Sequence, residues 1–109
     1  MVVAVVEIGT RSIRMLVTES SAASGLRVLE TASSQSPLNE PARIASSTPV
    51  DPRVPKLGAT IERMLSTADK HGAAVKFVFG TASLRNLSAD ALAAARELMP
   101  GLAVLSSEA

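Results

Sequence analysis

The period of the apolar positions changes several times along the chain, and each change marks an element. Residues 2–8, Val-Val-Ala-Val-Val-Glu-Ile, are almost all apolar and β-branched, which predicts a central strand covered on both faces. Residues 12–18 predict a second strand with Ile13, Met15 and Val17 on one face. A small-residue turn over 20–25 leads to a third strand over 26–31. Residues 32–51 then lose all periodicity. They hold five serines and three prolines, the composition of a long irregular loop or flap.

Helical spacing takes over next. Asp51 before Pro52 fits an N-cap with proline at the first helical position. Val54, Leu57, Ile61, Met64, Leu65 and Ala68 follow as one apolar stripe. Lys70 and His71 occupy the last turn, and Gly72 is placed to stop the helix. Residues 74–80 predict a fourth strand. Ser88 then caps a second helix, with Leu87 and Leu92 at the spacing of a hydrophobic staple. That helix runs through Ala95, Leu98 and Met99 to Pro100-Gly101, and residues 102–105 predict a fifth strand. The order β-β-β-α-β-α-β is that of an α/β domain with a mixed five-stranded sheet and parallel crossovers, and it resembles a ribonuclease H-like unit. Without an internal repeat, 109 residues make one domain.

Composition narrows the chemistry. Hydrophobic residues make up 47% of the chain, but the aromatics are only Phe77 and Phe79, so the core is aliphatic and rich in alanine. That favours helices packed closely on a sheet over an aromatic β-sandwich. The net charge is +1 with dispersed basic residues, so no nucleic-acid surface is expected. The absence of cysteine excludes disulfides, thiolate metal sites and cysteine nucleophiles. No apolar run reaches the length of a membrane span, and the first strand lacks the basic flank of a signal peptide. A soluble, cytoplasmic protein with no membrane or nucleic-acid partner is expected. The single histidine, His71, reads as a cation complementing a helix C-terminus rather than as a catalyst.

Three polar clusters stand at strand ends: Glu7 to Ser12, Thr81 to Arg85, and Ser106 to Glu108. Ligands of open parallel sheets bind beyond the strand carboxyl ends, and right-handed crossovers make the first, fourth and fifth strands parallel neighbours. The three clusters are therefore expected to converge. The first offers Glu7, the backbone amides of Gly9 and Thr10, and the hydroxyls of Thr10 and Ser12. Oxygen ligands for a metal and N–H donors for a phosphate are what phosphate chemistry needs, although an ordinary hairpin with a polar tip has the same pattern.

These residues amount to a resemblance. Glu7-Ile-Gly-Thr-Arg-Ser-Ile-Arg-Met-Leu-Val17 resembles the Asp-x-Gly-Ser/Thr-Asn-Ser-x-Arg-Leu-Leu-Val opening of the exopolyphosphatase/guanosine pentaphosphate phosphohydrolase (Ppx/GppA phosphatase) family, within the actin-like ATPase superfamily. Thr81-Ala-Ser-Leu-Arg85 resembles its Thr-x-x-Leu-Arg motif. Val104-Leu-Ser-Ser-Glu-Ala109 resembles its Ile-Ser-Gly-x-Glu-Glu-Ala motif, one residue shorter. The three occur in the family's order and near its spacing. The resemblance implies that Gly9, Thr10, Arg11 and Ser12 form a phosphate-binding loop and that Arg85 pairs with phosphate. It implies that Glu108 activates water for in-line displacement and that Glu7 lies near a Mg2+ ion. The implied substrates are polyphosphate, shortened from an end, and guanosine pentaphosphate.

Departures from the family pattern bear on activity. Glu7 stands where the family has Asp, a shift of the carboxylate by about 1.5 Å. Arg11 replaces Asn, and the family's glycine-rich segment is missing from residues 32–50. The second domain, with its own Asp-x-Gly-Gly-Gly-Ser loop, is absent. Residues 1–109 are thus expected to be a first actin-like domain, inactive alone. A phosphate- or nucleotide-sensing relative and half of another actin-like kinase are the alternatives. The alanines of the 88–99 helix (Ala91, Ala93, Ala94, Ala95) leave apolar area on more than one side, and a homodimer is expected to cover it.

Overall fold

The computed structural model describes residues 1–23, 25–40, 51–80, 82–85, 87–99 and 101–105. Five strands form one mixed sheet: β1 (Val2–Ile8), β2 (Ser12–Ser21), β3 (Gly25–Gln35), β4 (Val75–Gly80) and β5 (Ala103–Val104), in the spatial order β3-β2-β1-β4-β5. β1, β2 and β3 are an antiparallel meander, whereas β4 runs parallel to β1 and β5 parallel to β4. The expected α/β, ribonuclease H-like architecture is present. Three helices accompany the sheet: α1 (Arg53–Lys70), α2 (Ala82–Arg85) and α3 (Ala89–Leu98). The four-residue α2 is an element that the apolar pattern did not predict.

Because β1, β4 and β5 succeed one another in the same direction, right-handed crossovers carry α1 and α3 to the same face of the sheet. There Ala4, Val6 and Ile8 of β1 and Ile13, Met15 and Val17 of β2 share one core with Val54, Leu57, Ile61, Met64 and Ala68 of α1 and Ala91 and Ala95 of α3. Seven residues of β1 therefore do not behave as a strand covered twice. Ala4, Val6 and Ile8 are buried, while Val3 and Val5 are only partly covered and Glu7 is exposed. Among the described residues no helix lies over that second face.

The third strand runs to Gln35, well past residue 31, because β2 is long enough to pair with it throughout. A bulge between Val17 and Thr18 shifts the register by one, with Val17 opposite Glu30 and Thr18 opposite Val28. Ser36 and a 3₁₀ turn at Pro37–Asn39 follow, so the irregular segment expected over 32–51 is ordered at least to Glu40. Residues 41–50 lie outside the described set.

Asp51 begins α1 as predicted: its Oδ1 accepts from the Arg53 N–H at 3.0 Å. The Arg53 guanidinium donates back to the Asp51 carboxylate, with Nη2 to Oδ2 at 2.7 Å, and to the Glu40 carbonyl at 3.4 Å. Lys56 Nζ adds a 2.9 Å pair with Glu40 Oε2. One arginine thus grips both ends of residues 41–50. At the other end of α1, Gly72 follows the helix at φ +76°. His71 Nε2 lies 2.8 Å from Glu30 Oε1, tying the helix end to β3. α3 starts at its predicted cap, with Ser88 Oγ accepting from Ala91 N–H at 3.1 Å. No helix among the described residues is long and apolar enough to cross a membrane.

Candidate functional site

β1 and β4 end side by side, with Ile8 opposite Gly80. Leu105 N–H donates to the Gly80 carbonyl at 2.7 Å, which brings the fifth strand to the same edge. The three predicted clusters therefore issue from adjacent strand ends. The first two are shaped by local packing.

The 9–12 turn is tight and tethered. Gly9 N–H donates to the Ser12 carbonyl at 2.9 Å, and a Cβ on Gly9 would stand 2.8 Å from that same oxygen. No side chain fits there without moving backbone. Ser36 N–H donates to the Arg11 carbonyl at 3.0 Å, so the end of β3 holds the turn from outside. Ser36 itself is buried, its Oγ accepting from Leu38 N–H at 3.3 Å. Thr10 and Arg11 are exposed and Ser12 half-buried. Gly9 shapes the loop, and its own amide is spent on the turn. Thr10, Arg11 and Ser12 are the residues of the loop that face solvent.

A similar close approach fixes the second cluster. Gly80 lies under Leu84, where a Cβ would come within 2.5 Å of Leu84 Cδ1 and 2.6 Å of its Cγ. Leu84 is fully buried. The leucine of the Thr-Ala-Ser-Leu-Arg stretch is thus an anchor that seats α2 on the end of β4, and the next residue, Arg85, is exposed beside the strand ends. Thr81 and Glu108 lie outside the described residues.

Glu7 is set apart from the loop that follows it. It points to the uncovered face of the sheet, directly across from Arg14 on β2, and Arg14 is in turn paired with Ser33 on β3. Opposite residues of an antiparallel pair have Cβ atoms about 5 Å apart. Glu7, Arg14 and Ser33, with Val5, Leu16 and Thr31 one row further in, line a groove of about 630 Å³. Arg14 and Ser33 line this groove beside Glu7, and the sequence reading did not single them out. The signal was available: a four-residue turn between paired Ile8 and Ile13 puts residue 14 across from residue 7. Among the described residues no three acidic, histidine or cysteine side chains gather closely enough to hold a metal. A single carboxylate is nevertheless compatible with Mg2+, which keeps several waters and is commonly held by one or two carboxylates plus substrate phosphates.

The strongest electrostatic perturbation lies elsewhere. Hydrogen bonds from Arg53 hold the Asp51 carboxyl below its ordinary value, against the opposing effect of burial, and the same pairing raises Arg53. This pair is structural, at the entry to α1.

No protein-family model and no curated protein matches the sequence. Solved structures do match its fold. A Ppx/GppA phosphatase from Aquifex aeolicus aligns over 98% of this chain and 36% of its own, with TM-score 0.77 and 14% identity. The chain has the Ppx/GppA phosphatase fold. An exopolyphosphatase from Cytophaga hutchinsonii aligns over 97% of this chain and 34% of its own, with TM-score 0.77 and 14% identity. An exopolyphosphatase-like protein gives TM-score 0.69 at 14% identity, over 95% and 32% of the two chains. This chain spans about a third of the length of these proteins. The Ppx/GppA fold accounts for the five-stranded order and for the meander that carries the 9–12 turn; at these identities the likeness is one of fold.

Proposed function

We propose that this chain is the phosphate-gripping domain of an exopolyphosphatase-type phosphohydrolase, acting on a terminal phosphoryl group of polyphosphate or guanosine pentaphosphate. The observation that carries the reading is the meeting of three strand ends: the tethered 9–12 turn, the Leu84-anchored α2 with Arg85, and the end of β5 all lie at one sheet edge. Exopolyphosphatases of the same fold give the substrate class.

In this reading Thr10, Arg11 and Ser12 donate to phosphate oxygens from a loop already rigid before substrate arrives, which lowers the entropy lost on binding. Arg85 offers a planar fork suited to two oxygens at once. Glu7 would offer one carboxylate to Mg2+, which when bound would neutralise phosphate charge. Glu108 would orient the attacking water and take its proton as the water oxygen bonds the terminal phosphorus in line; the bridging P–O bond breaks, the shortened chain is the leaving group, and the terminal phosphorus departs as orthophosphate. A second domain supplies the opposing phosphate loop, so residues 1–109 bind without turning over.

Calorimetric titration with polyphosphate and magnesium tests this together with an orthophosphate-release assay. Binding is expected, weakened about tenfold or more in Arg85→Ala or Arg11→Ala, with almost no release. Steady turnover by the 109-residue chain would overturn the divided site. Unchanged binding in both arginine variants would overturn the assignment of the loop and α2. Binding without turnover even when a second Ppx/GppA domain is supplied would favour a phosphate sensor.

A further inference from the structure

Ser36 stands beside the 9–12 turn without belonging to either strand that makes it. It is the first residue after β3 and is 2% exposed. Two hydrogen bonds fix it. Its N–H donates to the Arg11 carbonyl at 3.0 Å, and its Oγ accepts from the Leu38 N–H at 3.3 Å. The second bond caps the 3₁₀ turn at Pro37–Asn39, which is also held from its far side. Leu38 is packed in the core, Glu40 N–H donates to the Pro37 carbonyl at 3.0 Å, and Arg53 and Lys56 of α1 donate to Glu40. The Arg11 carbonyl is therefore gripped by a corner whose place is set by α1 and the core, not by the hairpin alone. The grip also sets a direction. Across the trans Arg11–Ser12 peptide the C=O and N–H point opposite ways. Drawing the carbonyl toward Ser36 turns the Ser12 N–H away from it.

We propose that Ser36 is a positioning residue for phosphate binding. Its hydroxyl, spent on Leu38, aims the Ser36 amide at Arg11 and so holds the Arg11–Ser12 peptide in the orientation that receives phosphate oxygens. This rests on the phosphate-gripping reading of the 9–12 turn. Being buried, Ser36 acts through Arg11 and Ser12 and not by contact with phosphate. Without the hydroxyl, the buried Leu38 N–H loses its acceptor, and the corner must shift to find another. A turn that has to be reordered on binding gives up affinity that a pre-set one keeps.

Calorimetric titration of the 109-residue chain with tripolyphosphate and magnesium, paired with NMR relaxation of the backbone amides, tests the proposal. Ser36→Ala is expected to bind about tenfold more weakly, with mobility rising at Thr10, Arg11 and Ser12 and unchanged along α3. Ser36→Thr restores the hydroxyl and is expected to recover both. Glu30→Ala, which removes the contact to His71 at the other end of α1, is expected to alter neither and controls for a general loss of stability. If the added methyl of threonine prevents folding, the comparison of wild type, Ser36→Ala and Glu30→Ala decides. Wild-type affinity and turn mobility in Ser36→Ala, an equal loss in Glu30→Ala, or a folded Ser36→Thr that recovers neither would overturn the proposal. A wild-type chain that does not bind tripolyphosphate would overturn the phosphate reading and this proposal with it, whereas binding that ignores Ser36→Ala overturns this proposal alone.

Discussion

At Gly80 the absence of a side chain is what lets Leu84 sit down on the sheet, since a Cβ would overlap both Cγ and Cδ1 of that buried leucine. Gly80→Ala is expected to destabilise the chain by about 1–3 kcal/mol through overpacking. The same change in a Leu84→Ala background should cost much less, because the colliding atoms are gone. Thermal or urea unfolding of the four proteins closes this cycle, and equal costs in both backgrounds would show that the two residues are not coupled. Asp51 gives a pH-dependent counterpart. Its carboxyl is held below the ordinary 3.8 by Arg53, so the folded state binds its proton less readily than the unfolded chain does. The stabilisation is complete above about pH 4 and is lost as pH falls through the lowered value. Asp51→Asn keeps a capping oxygen but not the charge. It should cost about 2 kcal/mol at neutral pH, a gap that narrows below about pH 4 in acid-unfolding curves. A gap independent of pH would show that the charge is not what matters.

Among the elements, α3 offers the cleanest energetic test, because its start rests on a single side chain. Ser88→Ala removes the acceptor for Ala91 N–H and should cost about 1 kcal/mol, lowering Tm by about 4 °C. An unchanged Tm would mean that burial of Leu87, Ala91 and Ala95 alone fixes the helix start. The element scale is also where the sequence was most readable. α1 and α3 showed their caps and stripes because tertiary packing asks of them what an isolated amphipathic helix would supply. β3 was read too short because Ala32 to Gln35 have little strand propensity of their own and are held by pairing with β2. α2 was invisible for a related reason: four residues carry no period, and only the Gly80–Leu84 contact, local in space, defines it. The placement of the 9–12 turn and of Arg85 after adjacent strands was legible from residue types. The Glu7–Arg14 pairing needed the hairpin register, which follows from counting outward from the turn.

For the molecule as a whole, the decisive fact is that both long helices fall on one side. An apolar, β-branched run such as residues 2–8 looks the same in sequence whether one face or two will be covered, so burial on the second face could not be read from β1. The topology settles it. In this mixed sheet Val3 and Val5 are only partly buried, and among the described residues no helix covers their face.

The bridge made by Arg53 between Glu40 and Asp51 bears on how the gene could be rearranged. Since the anchor points of residues 41–50 are gripped from the helix side, their separation is set without reference to the residues strung between them. Closing a longer segment costs only about 0.6 kcal/mol for each doubling of its length. A fluorophore, an affinity tag or a pair of new chain ends can therefore be spliced in between Glu40 and Asp51, leaving the 9–12 turn and the ends of β1 and β4 where they were.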